Sequence, residues 1–166
     1  MRNDAPIAYF LTWSTYGTWL PGDERGWVEY RQGFQAPDPV WELECAARMT
    51  DDSVRLTSAQ REQVQFQVAE TCSYKQWHLH AINCRSNHLH VVLSAPQPPK
   101  TIREQLKAWC TRRLKQFARN HHSTANDLRS NWWTERGSIR WIHDEASLEA
   151  AILYVRDAQD DPRRFQ

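Results

Sequence analysis

The sequence predicts an α+β fold: a ferredoxin-like βαββαβ antiparallel sheet, extended by a C-terminal helix and interrupted after its first strand by an insertion. Two observations predict it. Segments with strand and helix character follow one another as strand, helix, strand, strand, helix, strand, helix. The length of 166 residues, with 40% hydrophobic and 25% charged residues, also suits one domain spanning 1–166 around its own core.

Residues 7–13, Ile-Ala-Tyr-Phe-Leu-Thr-Trp, form a short apolar run that reads as a buried strand. Residues 14–56 carry Gly17, Pro21, Gly22, Gly26, Gly33, Pro37 and Pro39, the punctuation of irregular chain. They read as a structured insertion and not a linker, because Trp19, Trp27, Tyr30 and Trp41 need somewhere to pack. Thr57 opens a helix over 58–72. Residues 76–84 and 88–93 are two strands separated by Arg85-Ser86-Asn87, a hairpin signal.

After the break at Ala95-Pro-Gln-Pro-Pro99, residues 101–120 form a basic helix, and 121–131 are polar and loop-like. Residues 137–143 read as a strand with Ile139 and Trp141 on one face. Residues 145–159 read as a helix, with Leu148, Ile152 and Val155 at core spacing.

No apolar run approaches the roughly 20 residues needed to cross a bilayer, and the N-terminus lacks a signal-peptide pattern, so the expected compartment is the cytoplasm. The cysteines Cys45, Cys72, Cys84 and Cys110 form no Cys-x-x-Cys unit and are expected to be reduced and mostly buried. A net charge of +1 argues against indiscriminate duplex binding, yet the charge is polarised. Arg103, Lys107, Arg112, Arg113, Lys115 and Arg119 cluster on the basic helix, whereas acids outnumber bases between Ser14 and Leu56. Such a surface presents one basic face to phosphates. The 9 tryptophans fill a core or stack on unpaired bases, with Trp132 and Trp133, beside Arg136, placed for either role.

Residues two apart on a strand point the same way, so His88 and His90 present two imidazoles side by side, a two-ligand platform for a divalent ion. His78-Leu79-His80 repeats the pattern on the preceding strand. A two-residue turn at Arg85-Ser86 would set His88 against Asn83 and His90 against Ala81, leaving the two pairs on opposite faces. A register one residue different would set His80 against His90 and allow a four-histidine zinc or iron site. Spacing leaves both open.

The stretch Arg85-Ser86-Asn87-His88-Leu89-His90-Val91-Val92-Leu93 resembles the metal-binding strand of the one-tyrosine HUH transposases, in particular the REP-associated tyrosine transposases and their single-strand insertion-sequence relatives. Ala151-Ile-Leu-Tyr-Val-Arg-Asp-Ala-Gln159 is similar to the nucleophile helix of that family, and the segment Phe10 to Val28 looks like the signature of one subgroup. The resemblance spans most of the chain. It implies that Tyr154 is the nucleophile and that His88 and His90 hold Mg²⁺ or Mn²⁺. The third ligand in relatives is commonly a Gln about one turn past the tyrosine. Ala158 stands there in this chain, which leaves Gln159, favoured because the helix is expected to loosen before Asp160-Asp161-Pro162, or Asp157.

The implied activity is cleavage and rejoining of single-stranded DNA at hairpins through a 5′-phosphotyrosine intermediate. Arg103, Lys107, Arg112, Arg113, Lys115 and Arg136 are the expected DNA contacts, the insertion an expected reader of the hairpin or a guide tetranucleotide, and a homodimer the expected assembly. The competing readings are a replication-initiator-type nickase and a domesticated nucleic-acid-binding module with an idle site.

Overall fold

A computed structural model describes residues 5–121 and 129–158 of the chain. The regular elements are β1 (Ala8–Ser14), β2 (Trp27–Glu29), β3 (Gly33–Gln35), α1 (Pro39–Ala47), α2 (Ser58–Lys75), β4 (His78–Cys84), β5 (His88–Ser94), α3 (Pro99–Asn120), β6 (Ser138–Ile142) and α4 (Glu145–Leu153), continued by a π-helical turn, Tyr154–Ala158. The main sheet has the order β4-β5-β1-β6, and each neighbouring pair is antiparallel. This is the strand order of the expected βαββαβ sheet. Between β1 and α2, β2 and β3 form a separate hairpin, followed by α1.

Local chemistry sets the element ends. Thr57 and Gln60 form a reciprocal capping box at the start of α2, and the helix runs three residues past its predicted end to Lys75, closing on Gln76 in the left-handed region at φ 58°. Asp144 caps α4 by accepting from the Ser147 amide at 2.7 Å. Helix α3 begins at Pro99, earlier than predicted, because proline lacks only an N–H that the first turn would leave unused.

The alternation along β1 and β5 splits the core into two. Leu11, Trp13, Leu89, Val91 and Leu93 face Val64 and Val68 of α2 and Ile102, Leu106 and Leu114 of α3, all of them at most 1% exposed. Each such side chain contributes about 1.5–3 kcal/mol when fully buried. On the other face Ala8, Val92 and Ile142 pack against Leu148, Ala151 and Val155. The sheet is therefore sandwiched, with α2 and α3 on one side and α4 with its π-turn on the other. Cys72, Cys84 and Cys110 are buried free thiols, and burial pushes the Cys72 thiol up to about 11 and the Cys84 thiol up to about 12. Among the described residues, no helix is long and apolar enough to cross a membrane.

The hairpin register differs from both predicted alternatives. The Arg85 amide donates to the His88 carbonyl at 2.8 Å, so the turn is Ser86-Asn87, one residue later than expected. His90 consequently lies opposite Asn83, not Ala81 or His80, and an irregularity between Leu79 and Ala81 accommodates His80. His78 pairs with Ser94, four positions along β5 from His90, and His80 Nε2 lies 2.8 Å from the Ser94 hydroxyl. At about 3.3 Å per residue His78 is offset from His90 by some 13 Å along the strand. The four-histidine zinc or iron site is not assembled.

Candidate active site

His88 and His90 sit on β5 on the sheet face that α4 covers. Their rings lie 4.8 Å apart, nearly perpendicular at 78°. The π-turn delivers Tyr154 to the same place, with its ring 5.8 Å from that of His90. Phe10 on β1 closes the group, stacked on His90 at 5.4 Å and meeting Tyr154 edge-on at 6.1 Å. The two imidazoles and the phenol, 64 residues apart in sequence between His90 and Tyr154, thus converge within one chain.

Each histidine is oriented through Nδ1. The Thr12 hydroxyl lies 2.8 Å from Nδ1 of His90, and the Asn87 side-chain oxygen lies 2.7 Å from Nδ1 of His88. Asn87 Oδ1 can only accept, so His88 Nδ1 is the donor in this bond. Partners of this kind fix ring orientation in histidines that bind metals. Burial, and secondarily the neighbouring His88 and Arg85, pushes the His90 pKa down to about 4. The ring is neutral at ordinary pH, the state that ligation requires. The two side-by-side imidazoles are the residues that could hold a divalent ion. Among the described residues, no three His, Cys, Asp and Glu side chains form a metal-holding group, so Asp157, which is exposed, does not complete one with the histidines. Gln159 lies outside the described residues.

The arrangement also contains residues that sequence reasoning missed. Thr12 stands directly opposite His90 in the β1–β5 ladder, and Asn83 directly opposite it in the β4–β5 ladder. Asn83 Nδ2 donates to the carbonyl of Val155, the residue after the tyrosine, at 3.1 Å. Both roles depend on register, which no local pattern encodes.

The expected phosphate contacts separate into two groups. Arg103 and Lys107 are corrected: they are 4% and 7% exposed and serve the fold. Arg103 donates to the Gly137 carbonyl at 2.9 Å, and Lys107 to the carbonyls of Thr134 and Arg136 at 2.7 and 2.9 Å. Buried cations persist only when their donors are used in this way. Arg112 is exposed and lies over Trp109. Arg113 is half-buried over Phe66 and bonded to Gln63, and Lys115 is half-buried. A cavity of about 640 Å³ between α2 and α3 is lined by Gln63, Trp109, Arg112, Arg113 and Gln116. This basic layer covers the sheet face opposite the histidines. Arg136 is exposed, its guanidinium 3.9 Å above the Tyr30 ring of the insertion. Trp132 is buried in the core and so is no base-stacking platform, whereas Trp133 is half-buried against the core, edge-on to Trp13 and bonded to the Thr111 hydroxyl.

Comparison with known proteins gives a likeness in fold alone. No protein-family model matches the chain, and no curated protein matches it. Among solved structures, a REP-associated tyrosine transposase bound to a REP hairpin superposes with a TM-score of 0.50 at 12% identity, covering 93% of this chain and 68% of that one. A candidate transposase from Deinococcus radiodurans gives a TM-score of 0.48 at 14% identity, covering 92% and 91%. The fold is that of the REP-associated tyrosine transposase structure.

Proposed function

We propose that the chain is a transposase-like endonuclease and strand transferase for single-stranded DNA bearing hairpins, with Tyr154 as nucleophile. The observation that carries this reading is the convergence of Tyr154, His88 and His90 on one face of a sheet that has the transposase-like fold. The hairpin in the solved relative supports the substrate class.

In this reading the Tyr154 oxygen attacks a backbone phosphorus, and the bond from phosphorus to the 3′ oxygen breaks. The phenol proton is lost, the departing 3′ oxygen ends as a hydroxyl, and the 5′ phosphate stays on the tyrosine. Attack by another 3′ hydroxyl reverses the step and rejoins strands without ATP, since the ester bond is conserved. His88 and His90, with Gln159 as third ligand, would hold Mn²⁺ or Mg²⁺. That ion, when bound, supplies charge neutralisation at a non-bridging phosphate oxygen. Thr12 and Asn87 keep the two imidazoles aimed, and Phe10 excludes water beside His90. Arg112, Arg113, Lys115 and Arg136 are proposed to contact phosphates, and the insertion to read the hairpin. A cytoplasmic homodimer is the proposed form.

The test is a 3′-labelled hairpin oligonucleotide incubated with the protein and Mn²⁺, then run on a denaturing gel. A labelled protein–DNA adduct that disappears in Tyr154→Phe is expected. Tight hairpin binding without any adduct would overturn the nuclease reading in favour of a binding module.

A further inference from the structure

We infer that Asn83 is a positioning residue that locks the tyrosine-bearing turn onto the metal-binding strand; this deepens the proposed function and rests on it. Asn83 occupies a singular place. Its backbone is the ladder partner of His90, while its side-chain amide reaches across the sheet face to the Val155 carbonyl. One residue thus ties both halves of the site.

The tie falls on the turn that carries the tyrosine. α4 proper ends at Leu153, and residues 154–158 wind as a π-turn, a rare geometry that is frequent at functional sites. A side-chain amide donated to the carbonyl of residue 155 fixes where the turn sits relative to β4. Val155 anchors the same point by burial, at 0% exposure among Val92 and Leu148. Residues on either side of the Val155 contact are exposed or half-buried, so they resist sliding less. The apolar anchor fixes depth; the amide bond, being directional, fixes rotation of the turn about its axis and hence the aim of the phenol.

Removing the donor should leave DNA affinity intact and slow the chemical step, because Asn83 acts through the backbone of the turn. Misplacing a reacting group by an ångström costs on the order of 100-fold in rate. The full-length protein, Asn83→Ala and Asn83→Asp are compared with Mn²⁺ and a 3′-labelled hairpin oligonucleotide. Single-turnover adduct formation is expected to fall roughly 10- to 100-fold in both variants, with hairpin dissociation constants within about twofold of the parent. Amide hydrogen exchange in 146–158 is expected to rise at least about tenfold, with α2 and α3 unchanged.

Adduct formation at the parental rate, unchanged exchange in 146–158, or global loss of protection in both variants would each overturn the inference. Should the parent form no adduct, the proposed chemistry fails by itself, and the exchange measurement alone decides the role of Asn83.

Discussion

The Thr12 hydroxyl lies 2.8 Å from Nδ1 of His90, across the β1–β5 ladder in which the two residues are direct partners. The contact orients an imidazole that is only 8% exposed and cannot turn to water for a substitute. Thr12→Val keeps the shape of the side chain and removes the hydroxyl. It should weaken Mn²⁺ binding by roughly 10- to 100-fold, the usual effect of losing such a supporting partner. Stability should fall by only about 1 kcal/mol. Calorimetric Mn²⁺ titration and thermal unfolding of the variant check the two halves of this expectation; equal Mn²⁺ affinity would show that the hydroxyl orients nothing.

Chelation should separate chemistry from binding. With EDTA, adduct formation on a hairpin oligonucleotide is expected to cease and to return on adding excess Mn²⁺. Hairpin retention in a gel-shift assay should change little, because the proposed phosphate contacts Arg112 and Lys115 lie on the layer across the sheet from His88 and His90. His90→Ala should behave as permanent chelation does, with no rescue by Mn²⁺. Cleavage that persists in EDTA would contradict a metal-assisted step.

The basic helix makes an opposite pair of predictions for residues of one charge. Lys107→Ala strips the donor from two carbonyls, those of Thr134 and Arg136, and should cost about 2–4 kcal/mol of stability. Arg112→Ala combined with Lys115→Ala should cost less than about 1 kcal/mol, since neither side chain is buried. The double variant should instead lower hairpin affinity and reduce the salt dependence of binding by about two units of slope. Denaturant unfolding and binding measured across salt concentrations distinguish them. A salt slope unchanged in the double variant would remove α3 from the DNA interface.

These cases show how far the sequence could be read. The strand and helix periods sufficed for the sheet, the sandwiching helices and the insertion, because alternation in β1 and β5 and the apolar stripe of α3 are local patterns. That His88, His90 and Tyr154 lie together was legible through motif and order. Their supporting residues were not: Thr12 and Asn83 acquire meaning only from strand register, which a turn placed at Ser86-Asn87 and the irregularity at His80 decide. Charge misled at Arg103 and Lys107, since a basic residue at a core position of a helix looks the same in sequence as one on its solvent face. The polar 134–137 loop, whose carbonyls those two cations satisfy, carries no sequence signal of that need.

Gly137 tests the same junction from its backbone. It lies at φ +138°, and a Cβ there would meet the Thr12 carbonyl oxygen at 2.3 Å and the Trp13 Cβ at 3.0 Å. The nearest atom is backbone, so relief requires β1 and β6 to move apart. Gly137→Ala should therefore cost more than the 1–3 kcal/mol, roughly, of a disfavoured backbone conformation alone, lowering Tm by about 5–10 °C. Gly33→Ala is the control: its φ is +77°, but the added methyl meets nothing within 4 Å, leaving only the conformational cost. Because the strained strand carries Thr12, Gly137→Ala should also weaken Mn²⁺ binding, whereas Gly33→Ala should not. Equal Tm shifts in the two variants would mean that β1 and β6 yield without cost and that the close approach does not hold the Thr12 end of the site.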